Sequence, residues 1–176
     1  MVEYGFDNGP ECWIAEIDSV NLLIDAISMA LSGNRCVSVW LGYGNVLFLG
    51  FGVESMPARN LDGKRPTPPY ELQTESASWI LRGPTAACSE DDRLSANQAL
   101  AGLLGQAVVA WRLDDNRCLQ IEFSDNGAME IIPSVKADSD SQQWWFCLPG
   151  SKFVGIGVGG RVISGTTDRP IESQSS

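Results

Sequence analysis

Two stretches of this chain, Asn34 to Phe51 (NRCVSVWLGYGNVLFLGF) and Asn116 to Ile132 (NRCLQIEFSDNGAMEII), leave little freedom in what it can fold into. In the later one Leu119, Ile121 and Phe123 alternate with Gln120, Glu122 and Ser124, the period of two that marks a half-buried strand. Asp125-Asn126-Gly127 follows, and Asn and Gly accept the positive φ angles of a tight hairpin turn, so 117–132 is predicted to be a β-hairpin. Val37, Val39 and Leu41 alternate in the same way in the earlier stretch, and Gly42-Tyr43-Gly44-Asn45 supplies the turn of a hairpin over 35–51. Asn-Arg-Cys opens both stretches, and the offset of 82 from Asn34 to Asn116 also carries Cys36 to Cys118. This echo predicts one domain built from two related helix–hairpin–strand halves, approximately 17–85 and 89–163.

The rest of the chain is read around these hairpins. Ile17, Val20, Ile24, Ile27 and Leu31 recur three or four apart, and Gly33 stands where a helix end takes a left-handed residue. A helix is predicted over 19–32, capped by Asp18 or Ser19, after a short strand from Glu11 to Ile17. Prolines 57, 66, 68 and 69, with Arg59, Lys64 and Arg65 among them, predict an exposed loop over 54–70. Strands resume over 71–74 and 78–81, and Gly83-Pro84 ends that unit. Ser89-Glu90-Asp91-Asp92 suits the entry to a second helix, 94–104, whose Ala96, Leu100, Leu103 and Leu104 share a face. A strand over 108–113, a turn at Asp114-Asp115 and the second hairpin come next, then a loop at Asp138-Ser139-Asp140. A strand over 143–148 matches 78–81, a glycine-rich strand or strand pair spans 153–163, and 164–176 is expected to fray. The fold class is therefore α+β, with largely antiparallel sheet and two short helices.

Composition narrows the function. Twenty-two acidic against twelve basic residues give a net charge of −10, which repels nucleic-acid phosphates and anionic membranes and attracts a basic protein. Glu3, Asp7, Glu11, Glu16, Asp18 and Asp25 all precede the first basic residue, Arg35. Five scattered cysteines without a CxxC pair point to reduced thiols, and Met-Val-Glu-Tyr lacks the features of a signal peptide, so a cytoplasmic protein is expected. Residues 36–53 are uncharged over a length near that of a membrane span, but glycines at turn positions interrupt them.

No histidine is present, which excludes Ser–His and Cys–His nucleophilic systems and imidazole-bound zinc. Gly155-Ile-Gly157-Val-Gly159-Gly160 matches GxGxxG formally, but no strand–helix–strand unit surrounds it, so a glycine-rich strand or turn is expected and no cofactor. Asp91-Asp92, Asp114-Asp115 and Asp138/Asp140 are of the kind used in glycoside hydrolysis or cation binding. All three lie in turns, where solvated aspartates are ordinary, and no metal site is expected. In Trp144-Trp145 the alternation of a strand sends one indole to the core and the other outward, as an interaction anchor or beneath the duplicated half of the chain.

The runs Leu103-Leu104-Gly105-Gln106-Ala107-Val108 and Leu119 to Gly127, with Trp144-Trp145, resemble small bacterial proteins of uncharacterised families. Some relatives of those families are immunity proteins of polymorphic or contact-dependent toxin systems. The resemblance covers mainly the second half and carries over no functional residues. It implies a cytosolic, non-enzymatic protein that binds and blocks a cognate toxin, often a basic nuclease. The contact candidates come from the residues themselves: Asp7, Glu11, Glu16, Asp114, Asp115 and the exposed member of Trp144 and Trp145. The alternative is a domain that binds or hydrolyses a small ligand or carbohydrate, using a tryptophan as platform and a carboxylate pair. A structural subunit of a larger assembly is a third.

Overall fold

The computed structural model describes residues 16–53, 67–83, 87–89, 93–134 and 142–166. Helix α1 (Glu16–Leu31) buries Leu23, Ala26, Ile27, Ala30 and Leu31. This stripe is rotated from the one predicted: Ile24 is 39% exposed, and the small Ala26 and Ala30 hold the buried face instead. Because α1 starts at Glu16, Asp18 and Ser19 fall within its first turn rather than at its cap, and Glu16 and Ile17 are helical rather than the end of a strand. Residues 11–15 of that expected strand lie outside the described residues. Gly33, at φ 75°, ends the helix as its position predicts.

Five strands follow: β1 (Arg35–Leu41), β2 (Leu47–Gly52), β3 (Tyr70–Thr74), β4 (Ser78–Arg82) and β5 (Ala87–Ser89). Helix α2 (Arg93–Ala101) then leads to β6 (Val108–Leu113), β7 (Leu119–Phe123), β8 (Ala128–Ile132), β9 (Trp144–Leu148), β10 (Lys152–Ile156) and β11 (Val162–Thr166). The first hairpin is β1–β2 and the second is β7–β8. In the second turn Asn126, at φ 65°, takes the left-handed position, and Gly127 donates its N–H to Asp125 Oδ1 at 2.8 Å. Several boundaries differ from those expected. Helix α2 stops at Ala101 because Gly102, Leu103 and Leu104 tighten into bonds three residues back, which leaves Leu104 51% exposed. Strand β5 has too few residues to show a period. Tyr70 belongs to β3, and Pro68 is buried against Gly50 rather than exposed. Residues 164–166 pair with β10 as part of β11 instead of fraying.

Both sheets are antiparallel, with strand orders β1-β2-β3-β9-β10-β11 and β5-β4-β8-β7-β6. The six-stranded sheet joins two three-strand meanders, β1–β3 and β9–β11, and the five-stranded sheet joins the β4–β5 hairpin to the meander β6–β8. The chain crosses at residues 75–77, where β3 of the first sheet leads into β4 of the second, and it returns to the first sheet after β8, with β9. Glu75 and Ala77 both donate backbone N–H bonds to Gln143 O there, at 3.0 and 3.3 Å. Away from the crossing the two sheets are tied by the bridge between Arg35 and Ala107, flanked by Cys36 N to Gln106 O and Val108 N to Asn34 O, both 2.9 Å.

This topology assigns the Asn-Arg-Cys echo to unlike places. Arg35 opens an edge strand, whereas Arg117 closes the turn ahead of the interior strand β7. A single apolar core joins both sheets and both helices, with Trp79 of β4 and Trp144 of β9 as its largest fully buried side chains.

Candidate functional site

The faces of the two sheets turned away from the core differ sharply in chemistry. In the five-stranded sheet the row Arg112–Gln120–Glu130–Ile80 crosses β6, β7, β8 and β4. Its polar groups satisfy one another. Arg112 donates to Gln120 at 2.8 Å, Gln120 to Glu130 at 3.5 Å, and Arg82 pairs with Glu130 at 3.4 Å. The corresponding row of the six-stranded sheet is Trp40–Phe48–Gln73–Trp145, continued by Gly155 and Ile163. Three of its four leading positions are aromatic. The Trp40 and Phe48 rings stack with centroids 3.9 Å apart and planes within 10°, and Trp40 is still 38% exposed.

Of the two adjacent tryptophans, Trp145 is the one on this outer face, half-buried beside Gln73. Trp144 is the core member of the pair and offers no contact surface. It is fully buried, its ring packs edge-on to Phe146, and its indole N–H donates to Arg117 O at 3.2 Å. Next to Trp145 on β9, Cys147 accepts from Gln73 Nε2 at 3.4 Å, and the same Nε2 donates to Glu71 at 2.9 Å. Burial first, and the Glu71 charge second, raise the Cys147 pKa, so the thiol stays protonated. Burial drives Cys36 up to about 12, and Cys118 is raised by burial and then by Asp114 and Glu130. Cys36, Cys88, Cys118 and Cys147 are thiols rather than disulfides, and none of those shifted is an activated nucleophile.

Strand register places three turns at one end of the six-stranded sheet, next to the aromatic row. Leu41, Leu47, Thr74, Trp144, Ile156 and Val162 form the terminal row, so the β1–β2 turn, Glu75 and the Val158–Gly160 turn all lie beyond it. Leu47 N–H donates to Thr74 Oγ1 at 2.9 Å across the gap between β2 and β3. The Asp114–Arg117 turn reaches the same end from the other sheet: Arg117 O holds the Trp144 indole, and Arg117 Cγ lies 3.9 Å from where a Cβ on Gly160 would be. In that turn Asp114 Oδ1 accepts from Cys118 N at 2.9 Å, whereas Asp115 is exposed. The structure thus brings Asp115 and Trp145 to one end. Asp7 and Glu11 lie outside the described residues, and Glu16 is the first residue of α1.

Sequence reasoning missed the most exposed aromatic there. Tyr43 is 100% exposed in the β1–β2 turn. Gly42 N–H donates to Val46 O at 2.7 Å, and Gly44 adopts φ 66°. Arg93 of α2 braces the turn with guanidinium bonds to Gly42 O at 3.0 Å and Leu41 O at 3.2 Å. A Cβ on Gly42 would stand 2.9 Å from the Phe48 ring, so a glycine is what lets the turn close against the stacked pair. The signal available in the sequence was a tyrosine between two glycines.

Among the described residues no cluster of three or more histidines, cysteines, aspartates or glutamates could hold a metal ion, and no helix is long and apolar enough to cross a membrane. No family model, characterised protein or solved structure matches the chain.

Proposed function

We propose that the protein is a non-enzymatic, cytosolic binding module that neutralises a basic protein, as an immunity protein blocks a cognate bacterial toxin. The observation that carries this reading is the contrast between the outer faces. Where one sheet has a self-satisfied polar ladder, the other has an aromatic row next to an exposed tyrosine and exposed carboxylates at Glu75 and Asp115. Aromatic residues beside a polar rim are the composition of protein interfaces, and the charge of −10 selects a basic partner. The stacking of Trp40 on Phe48 favours a protein over a sugar, because each ring covers a face that a sugar would need.

The test is kinetic binding to the partner purified from the native host, across a salt series. Association should slow as salt rises, since exposed charges are screened beyond roughly 8 Å at physiological ionic strength. Reversing Asp114 with Asp115 should slow it further, as should reversing Asp7, Glu11 and Glu16 if they form part of the contact. Trp145→Ala should instead speed dissociation, by about tenfold or more for a central anchor. An association rate indifferent to both salt and charge reversal would sink the electrostatic account, and turnover of a substrate by the purified protein would sink the non-enzymatic one.

A further inference from the structure

We infer that Tyr43 is an arginine-recognising anchor, and that the end of the six-stranded sheet takes an extended, arginine-bearing segment of the basic partner. The inference rests on the protein-binding reading and deepens it. A tyrosine ring left wholly in solvent contributes nothing to the core, yet the chain holds this one in a fixed frame. The frame consists of the Gly42–Val46 bond, the left-handed Gly44 and two bonds from Arg93, which belongs to a different element and stands far away in sequence. Fixing the turn before binding lowers the ordering cost of the complex.

The company Tyr43 keeps selects the ligand chemistry. A guanidinium stacks on an aromatic face and bonds a carboxylate in the same plane, which an ammonium does less well. Along this sheet end the exposed groups run in the order Tyr43, Glu75, Asp115, with the exposed Arg161 closing the row at the β10–β11 turn and the Trp40–Trp145 row directly inward. From the β1–β2 turn to the β10–β11 turn is four strand spacings, about 19 Å at 4.8 Å each. An extended segment of about six residues covers that span.

The probe is an N-acetylated, C-amidated hexa-arginine peptide, titrated calorimetrically against the full chain, with hexalysine as comparison. Hexa-arginine should bind more tightly than hexalysine. Tyr43→Leu should weaken hexa-arginine by about three- to tenfold with little effect on hexalysine, and Tyr43→Phe should restore binding. Glu75→Gln with Asp115→Asn should weaken both peptides. An unchanged melting temperature would confirm that the Tyr43 variants fold, as full exposure of the side chain leads one to expect. Equal binding of the two peptides, equal binding by wild type and Tyr43→Leu, or no binding of hexa-arginine overturns the inference. A purified partner that binds wild type and Tyr43→Leu with the same rate constants also overturns it, while leaving the protein-binding reading intact.

Discussion

Ile121 and Phe123 stand on the inward face of β7 with essentially no exposure, and the row opposite them is filled by Met129 and the core side chains beyond it. Truncating either to Ala removes apolar contact and leaves a void the sheet cannot close, for a loss of about 2–5 kcal/mol. Gln120→Ala, on the outer face, should cost far less, and denaturant melts of the three variants make the comparison. Cys36 gives a second residue-level expectation. Its thiol is buried, so its pKa is raised to about 12 from 9.0, and folding favours the protonated form. The stabilisation is complete below the unfolded pKa and is lost as pH climbs from about 9 towards 12. Stability should therefore fall across that window with a slope approaching about 1.4 kcal/mol per pH unit. Cys36→Ala should flatten the slope even though its cavity lowers the whole curve. Unfolding free energies measured at several pH values above 8 in both proteins check it. The inward face of β7 was legible in the sequence because alternation is a property of neighbours. That of β1 was legible at Val39 and Leu41, but a bulge between Cys36 and Ser38 puts Cys36 into the core where Val37 was expected. The choice between Trp144 and Trp145 was not, because it depends on which way β9 faces when it pairs with β3.

At the scale of elements, local signals were legible and distant ones were not. The two hairpins declared themselves through alternation and turn residues within about fifteen positions, and Gly33 marked the end of α1. The apolar face of α1 was misjudged because Ala26 and Ala30 carry little hydrophobic signal, although their small size suits close approach to a sheet. The GxGxxG run divides between the end of β10 and the Val158–Gly160 turn, where Gly157 donates to Arg161 O at 2.8 Å and Gly159 takes φ 65°. Gly155 has a distinct role within β10. A Cβ there would collide with Trp144 O and the Trp145 backbone, and backbone cannot swing aside. Gly155→Ala should therefore cost at least about 2 kcal/mol. In Gly165→Ala the new methyl meets the Phe153 ring on the edge-strand side, and a rotamer change relieves it at smaller cost. Thermal melts of the two variants separate these outcomes.

For the whole molecule, the exchange of strands between the two sheets, β4–β5 for β9–β11, is the defining property, and it was invisible in the sequence. Every strand was found or bracketed except β5, yet nothing in β3 says that its partner is β9 rather than β4. Such pairings are set by burial over the entire chain. Because each sheet is completed by the other half, and one core runs through both, neither half has a core of its own to retain. Unfolding should be a single transition, with tryptophan fluorescence and far-ultraviolet circular dichroism superimposing in a denaturant titration. Two resolved steps would show that the halves are energetically separable. The same exchange sets an order of events during synthesis. Thr74 pairs with Trp144, seventy residues later, so β3 leaves the ribosome with one side unsatisfied. At roughly 5–20 residues per second it waits on the order of 4–14 s for its neighbour. Throughout that interval Leu72 and an open strand edge stay uncovered, the condition in which extended apolar segments pair wrongly, so the length of the β3-to-β9 gap sets the time over which the nascent chain is open to aggregation.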